Sequence, residues 1–176
     1  MKLKLILLAV TFYSTALLAQ EAGINENEPS ILELKTFLTN QKVGEQNAKN
    51  ESSDTPNARD LLHKLQPSVY FYDGKVKTYG ENPSNLFTNV ASLNSLSGSS
   101  FDKNHIKIVT IRISSRIDLN STIDLSVFSN FKSLKYIYIV SGISATEQDI
   151  KGMIRNSSGK HTIFYKIDKG DNNQQY

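Results

Sequence analysis

Histidine, the side chain best suited to acid–base chemistry near neutral pH and a common metal ligand, is rare in this chain, and its positions are widely separated. The three histidines are His63, His105 and His161, and none stands in an H-x-H or H-E-x-x-H arrangement that would place two rings on one face. Cysteine is absent, which excludes disulfides, thiolate zinc sites and a cysteine nucleophile. A solvated side chain is the ordinary interpretation of each histidine, and we expect no catalytic set, no metal and no other cofactor.

One segment imitates the beginning of a calcium-binding loop. Oxygen-bearing side chains alternate from Asp118 to Asp124, as they do in the first half of an EF-hand. An EF-hand also needs glycine at its sixth position and glutamate at its twelfth, and these positions hold Ile123 and Ser129. A loop or an edge segment explains the alternation equally well.

Signals for nucleophilic catalysis and phosphate binding are missing from the sequence. No G-x-S-x-G motif occurs, and Ser97-Gly98-Ser99 is typical of a flexible turn. The nine glycines are dispersed, whereas a phosphate-binding loop needs several close together. The sequence therefore favours a protein without catalytic activity.

A group of basic residues raises the question of nucleic-acid binding. Its members are Lys103, Lys107, Arg112, Arg116, Lys132 and Lys135. Lys107 and Arg112 are an odd number of residues apart, so a regular strand places them on opposite faces, and only a bulge would bring them together. We expect no nucleic-acid partner.

The sharpest structural signal is a β-hairpin at residues 69–79. Asp73-Gly74 is a pair preferred in a type I′ turn, because both residues must take a positive φ. The predicted pairs are Tyr72–Lys75, Phe71–Val76, Tyr70–Lys77 and Val69–Thr78. One face, which we expect to be buried, carries Val69, Phe71, Val76 and Thr78. The opposite face, called the Tyr–Lys face below, carries Tyr70, Tyr72, Lys75 and Lys77.

The Tyr–Lys face is the candidate surface for a ligand or partner. Aromatic rings beside lysines can stack on a glycan or on a protein and form cation–π contacts. Tyrosine–lysine pairs across two strands also stabilise hairpins without any ligand. Both interpretations rest on the same residues.

Helix and strand signals surround the hairpin. Helices are predicted from a capping box at Ser30-x-x-Glu33, from Asn57, from Asn82-Pro83 through Leu96, and from a second capping box at Ser144-x-x-Glu147. Strands are predicted at residues 106–113, 134–140 and 162–167. The expected fold is α/β, a small mixed sheet in which the antiparallel hairpin (69–79) is followed by parallel strand–helix–strand units.

Two of the predicted strands match at an offset of 28 residues. Ile106, Val109 and Ile111 align with Leu134, Ile137 and Ile139, and Lys107 aligns with Lys135. The run L-x-x-F-x-x-F-x-x-L-x-x-I-x-I from Leu125 to Ile139 resembles one turn of a leucine-rich repeat. The resemblance covers residues 106–144 and departs from the family where Ser114 and Gly142 replace its asparagine or cysteine. It implies parallel strands and a protein-binding role.

Residues 1–19 have the three parts of a secretory signal peptide. Lys2 and Lys4 precede an uncharged, mostly apolar run, and Ala19 offers a cleavage site. The ending Leu-Leu-Ala-Gln and the abundance of Asn, Lys, Ile and Ser resemble small exported proteins of Bacteroidetes-type bacteria. This resemblance implies a periplasmic or secreted protein. No later stretch is apolar and long enough to span a bilayer, so we expect no membrane span after cleavage of the signal.

The charge of the chain changes sign after the signal peptide. Residues 20–60 hold 8 acidic and 4 basic side chains, and residues 61–176 hold 14 basic and 9 acidic ones. We therefore predict an acidic, partly helical arm with a polar linker (20–60), an α/β domain (61–170) and a polar tail (171–176).

The functional prediction combines export with the leucine-rich-repeat-like turn. We expect a non-catalytic envelope or secreted protein-interaction module, whose partner is an envelope protein or a glycan. The alternative is a small hydrolase acting on envelope polymers. A deep polar cleft would favour the hydrolase, and a flat aromatic face would favour the binding module.

Overall fold

The computed structural model describes residues 30–47 and 57–168. These residues form nine strands: β1 (Ile31–Glu33), β2 (Ser68–Tyr72), β3 (Lys75–Tyr79), β4 (Asn85–Asn89), β5 (Ile108–Ile113), β6 (Ile123–Asp124), β7 (Tyr136–Ser141), β8 (Ile154–Arg155) and β9 (Thr162–Ile167). The helices are α1 (Leu34–Asn47), α2 (Ala58–His63), α3 (Arg116–Leu119) and α4 (Glu147–Met153), with 3₁₀ turns at Val90–Ser95 and Leu125–Phe128. The predicted signal peptide, the predicted tail and much of the predicted arm lie outside the described residues.

Seven of the strands form one sheet in the order β3-β2-β4-β5-β7-β9-β1. β2 and β3 are antiparallel, and every other neighbouring pair is parallel. β5, β7 and β9 each lie beside the strand of this sheet that precedes them in the chain. The predicted α/β class is confirmed, with its antiparallel hairpin and its parallel strand–helix–strand unit β7–α4–β9.

The offset of the sequence repeat is also a pairing register. Val109 of β5 lies opposite Ile137 of β7, and Ile111 lies opposite Ile139, so both pairs are 28 residues apart. The backbone N–H groups of Lys135 and Tyr136 donate to the carbonyl of Lys107 and extend this ladder. Residues at equivalent positions of the two matching segments therefore lie side by side in the sheet.

One face of the sheet, the core face, packs against the connections between the parallel strands. Val109, Ile111, Ile137 and Ile139 are fully buried there. The connections add further buried side chains, among them Leu93, Phe128, Phe131, Ile150 and Met153. This cluster is the larger of the two apolar cores in the described residues.

The second face of the sheet is covered by α1 and α2 at one end. Phe37 of α1 stacks on Phe164 of β9, with 4.3 Å between ring centroids and 9° between planes. Leu61 of α2 belongs to the same buried cluster. Asn57 caps α2 by accepting a hydrogen bond from the Arg59 N–H at 2.9 Å, as the sequence predicts.

Among the helices of residues 30–47 and 57–168, none has the length and apolar character to cross a membrane.

The helix predicted from Asn82-Pro83 to Leu96 is wrong. Residues 85–89 form β4, a strand between β2 and β5, and a 3₁₀ turn follows from Val90 to Ser95. The side chains of Leu86 and Thr88 lie on the core face and are buried. The Asn85 side chain donates a hydrogen bond to the Leu61 carbonyl at 2.8 Å. The polar Thr88 breaks the alternation of apolar residues by which a strand is ordinarily read.

Two predicted helix starts also need correction. Ile31–Glu33 forms β1 rather than the first turn of a helix, because it pairs in parallel with Ile163–Tyr165 of β9. The helix begins at Leu34 and continues through Gly44 to Asn47. The capping box of α4 is Thr146 with Asp149, two residues after the predicted one.

A buried hydroxyl of β4 gives a first stability prediction. Thr88 Oγ1 is buried and has no hydrogen-bonding partner among the described residues, so its desolvation is not compensated. We expect Thr88→Val to raise the free energy of unfolding by about 1 kcal/mol, measured by urea denaturation. The matched control is Ser92→Ala, since the buried Ser92 Oγ accepts the Asp73 N–H at 2.9 Å. Ser92→Ala should lower the free energy of unfolding. An equal decrease in both variants would contradict the conclusion that the Thr88 hydroxyl has no hydrogen-bonding partner.

The connection between β3 and β4 gives a second stability prediction. Gly80 has a φ of +78°, and a Cβ added there would lie 2.9 Å from Pro67 Cβ. Gly159 has a similar φ of +69° but nothing within 4 Å of its added Cβ. Both alanine variants incur backbone strain of about 1–2 kcal/mol, and only Gly80→Ala adds a steric clash. Equal losses of unfolding free energy in Gly80→Ala and Gly159→Ala would show that the contact with Pro67 is unimportant.

Candidate functional site

The hairpin has the predicted turn and the predicted register. Asp73 and Gly74 take φ values of 53° and 73°, as a type I′ turn requires. Tyr72 pairs with Lys75, Tyr70 with Lys77 and Val69 with Thr78. Backbone geometry therefore fixes which side chains share a face.

The two faces of the hairpin differ in burial along the two strands. Val69 and Phe71 of β2 are buried in the core, as predicted. The prediction that Val76 and Thr78 are also buried is wrong, because every residue of β3 is exposed. β3 is an edge strand of the sheet, and the core of the described residues does not extend beneath it.

Tyr70 belongs to an aromatic cluster on the Tyr–Lys face. Its ring stacks on Phe87 of β4, with centroids 4.9 Å apart and 16° between planes. Tyr79 of β3 packs edge-on against the same ring, with centroids 5.5 Å apart. Phe87 is only half-buried, so this cluster remains accessible from the second face of the sheet.

Lys77 joins this cluster through Tyr79. Its Nζ lies 5.0 Å from the centroid of the Tyr79 ring, within cation–π range. A hydrogen bond to the Tyr79 side chain, with the attraction between the two groups, raises the pKa of Lys77. Lys77 therefore remains a cation above the aromatic cluster.

Tyr72 lies towards the other end of the Tyr–Lys face, near a second cation. Burial raises the pKa of Tyr72, and the positive charge of Arg112 on β5 partly opposes this effect. Arg112 is exposed and lies opposite Asn89 of β4. The second face of the sheet thus combines exposed cations with tyrosines across several strands.

A groove of about 700 Å³ opens beside Tyr70. Leu65, Pro67, Tyr70 and Tyr79 make its walls mainly apolar, and Lys77 and Gly80 also line it. The described residues include five large hydrophobic side chains that are exposed: Leu65, Tyr70, Val76, Tyr79 and Ile117. Three of the five line this one groove, and Leu65 is exposed completely (102%).

The free edge of β3 borders the same groove. In a two-residue hairpin, the residues that flank the turn exchange both backbone hydrogen bonds, and this pattern repeats at every second pair. Lys75, Lys77 and Tyr79 therefore pair with β2, whereas the N–H and C=O groups of Val76 and Thr78 point away from it. These outward groups face no neighbouring strand in the described part of the chain.

None of the three histidines lines the groove. His63 is exposed at the end of α2. His105 Nδ1 lies 2.7 Å from Asp102 Oδ2, and both side chains are exposed. His161 is half-buried, with Nδ1 3.1 Å from the Leu134 carbonyl. Residues 30–47 and 57–168 contain no group of three or more potential metal ligands.

The segment that imitates a calcium loop uses its carboxylates to cap backbone turns. Asp118 accepts the N–H groups of Ser114 and Ser115 in the capping box of α3. Asp124 accepts from the Ser126 N–H and from Asn156 Nδ2. These hydrogen bonds lower the pKa of Asp124, that from Asn156 most strongly. Hydrogen bonds within the fold thus account for the carboxylates at the two ends of this segment.

Sequence reasoning missed several residues of the groove and of the aromatic cluster. Tyr79 could have been found, because it continues the alternation of Lys75 and Lys77 along β3. Phe87 was hidden by the incorrect helix, and Leu65 carried no signal apart from its place in a helical pattern. Only the fold brings Leu65 beside the hairpin.

His161 gives a prediction for the dependence of stability on pH. Burial, reinforced by the charge of Lys160, lowers the pKa of His161 below its usual 6.5. The unfolded chain therefore takes up this proton before the folded chain does, so stability is lost as the pH falls below about 6.5. We expect His161→Gln to reduce the loss in unfolding free energy between pH 7.5 and 5.5. The control variant His63→Gln, at an exposed position, should lose as much unfolding free energy between these pH values as the natural chain. The same loss in His161→Gln would contradict the role assigned to His161.

Comparison with known proteins leaves the function to be argued from this geometry. No protein-family model matches the chain, and no curated protein or solved structure matches it significantly. The relevant observations are the aromatic cluster, the apolar groove and the free edge of β3.

Proposed function

We propose that this chain is an exported, non-catalytic protein-interaction module, and that it binds its partner at the edge of the sheet formed by β2 and β3. The observation that carries the proposal is the concentration of exposed apolar side chains there, with Leu65, Tyr70 and Tyr79 lining one groove. A contiguous exposed apolar surface with a polar border is typical of interaction sites. Tyrosine is also among the residues that contribute most to binding energy.

The lysines of β3 support the same function. Lys77 lines the groove, Lys75 lies two residues away on the same face of β3, and both are exposed. Charges beside an apolar surface steer association and select partners. Export, inferred from the signal-like residues 1–19, would place the module in the periplasm or outside the cell. The leucine-rich-repeat-like segment adds support, because that resemblance implies protein binding.

Site-specific photo-crosslinking in cells tests this proposal. A benzophenone side chain at position 79 stands in the groove, and the same group at position 117 is the control. Ile117 is also a large exposed hydrophobic residue (79%) but does not line the groove. We expect a discrete crosslinked protein from position 79, and no such product from position 117.

Alanine substitution supplies the matching loss of function. Tyr79→Ala removes a ring from the groove, and a tyrosine at the centre of an interface contributes about 2 kcal/mol or more to binding. Recovery of the crosslinked partner by the purified Tyr79→Ala variant should fall, whereas Ile117→Ala should leave it unchanged. The same products at both crosslinking positions, or no products at either, would contradict the proposed interaction site.

A further inference from the structure

The free edge of β3 allows the partner to be described more closely, on the basis of the function proposed above. We propose that β3 accepts an extended, acidic segment of the partner protein as an additional strand of the sheet. Strand addition uses unpaired backbone groups for affinity and alternate side chains for specificity. The edge of β3 offers both.

The backbone of β3 is suited to an added strand. Val76 and Thr78 direct their N–H and C=O groups outward, and all five residues of the strand are exposed. The turn at its beginning is held in place, because the Asp73 N–H donates to Ser92 Oγ at 2.9 Å. An incoming segment therefore meets a strand whose conformation is already fixed, which reduces the entropy lost on binding.

The lysines of β3 define the charge of the segment. Lys75 and Lys77 project from the same face, two residues apart, and neither forms an ion pair with a described residue. Residues directly opposite one another on paired strands lie close enough for opposite charges to attract and like charges to repel. Glutamate or aspartate at two alternate positions of the added strand fits this edge best.

The groove defines a third position of the segment. Tyr79 continues the face of Lys75 and Lys77 and lines the groove. A residue opposite Tyr79 would place its side chain on the same face of the sheet as the Tyr79 ring, beside the groove that this ring lines. An apolar residue two positions from the acidic pair therefore completes the pattern.

The positive charges of Lys75 and Lys77 argue against a second copy of this chain as the strand added to β3. Antiparallel pairing of two β3 strands, with corresponding faces aligned, sets lysines opposite or diagonal to lysines in each close register. Lysines on edge strands are a recognised protection against such self-association. An acidic partner removes this repulsion, and a second copy does not.

The experiment uses labelled peptides and the full chain, with fluorescence polarisation as the readout. The acidic probe contains Leu-Thr-Glu-Thr-Glu, which in antiparallel pairing sets leucine opposite Tyr79 and the glutamates opposite Lys77 and Lys75. A second probe has the reversed order for parallel pairing, and a third has lysine in place of glutamate. A fourth is the acidic probe methylated at the backbone nitrogens that would donate to β3. A polyuronate oligosaccharide is the non-protein ligand.

We expect one of the two acidic probes to bind the natural chain, and the lysine and N-methylated probes to bind at least about tenfold more weakly. The double variant Lys75→Glu/Lys77→Glu should reverse this preference and bind the lysine probe more tightly than the acidic probe. Because an unfolded variant would not gain binding to the lysine probe, this result distinguishes a change in recognition from a loss of folding. Lys132→Glu/Lys160→Glu changes the net charge equally at exposed residues outside the hairpin and should keep the natural preference.

Equal binding of the acidic and lysine probes would overturn the proposal, as would unchanged binding of the N-methylated probe. Binding of polyuronate through Lys75 and Lys77, without peptide binding, would overturn it in favour of a glycan. A partner crosslinked at position 79 that ignores the charge reversal would leave the protein-interaction function standing and remove only the strand-addition mode. Absence of any crosslinked partner would instead remove the function itself.

Discussion

Side-by-side parallel pairing is the constraint on which the rest of this structure depends. Parallel neighbours cannot be joined by a tight turn, so each connection must cross back over the sheet. These crossings cover the core face and bury residues such as Val109, Ile111 and Ile137 completely. Burial of one such side chain contributes about 1.5–3 kcal/mol relative to exposure, so the ladder of strands and its covering connections are stabilised together.

The hairpin is the exception, and its position explains the candidate site. Because β2 and β3 are antiparallel, a two-residue turn joins them and nothing crosses the sheet between them. The chain then passes through Gly80, which lies against Pro67, to form β4 on the other side of β2. β3 is consequently left at the edge with both faces exposed, and the segment at Leu65–Pro67 forms one wall of the groove.

Local signals predicted the parts of the fold that depend on neighbouring residues. Asp73-Gly74 determined the turn and thereby the register of the hairpin, and the β-forming runs at 106–113 and 134–140 located β5 and β7. β4 and β1 were missed because long-range pairing overrides their local patterns. Thr88 occupies a core position where an apolar residue is expected, and Ile31–Glu33 becomes a strand only beside β9. The same distinction applies to the site: alternation along the hairpin predicts its tyrosines and lysines, whereas Phe87 and the wall at Leu65 and Pro67 are supplied by the fold.

Hydrogen exchange at individual amides of β3 tests the central claim most directly, since each amide reports its own hydrogen bond. In the free protein, Val76 and Thr78 should exchange faster than Lys75 and Lys77, whose N–H groups pair with β2. With the acidic segment of the partner bound, we predict strong protection of Val76 and Thr78 and little change at Lys75 and Lys77. Bound partner with Val76 and Thr78 still exchanging at the free rate would contradict strand addition at β3.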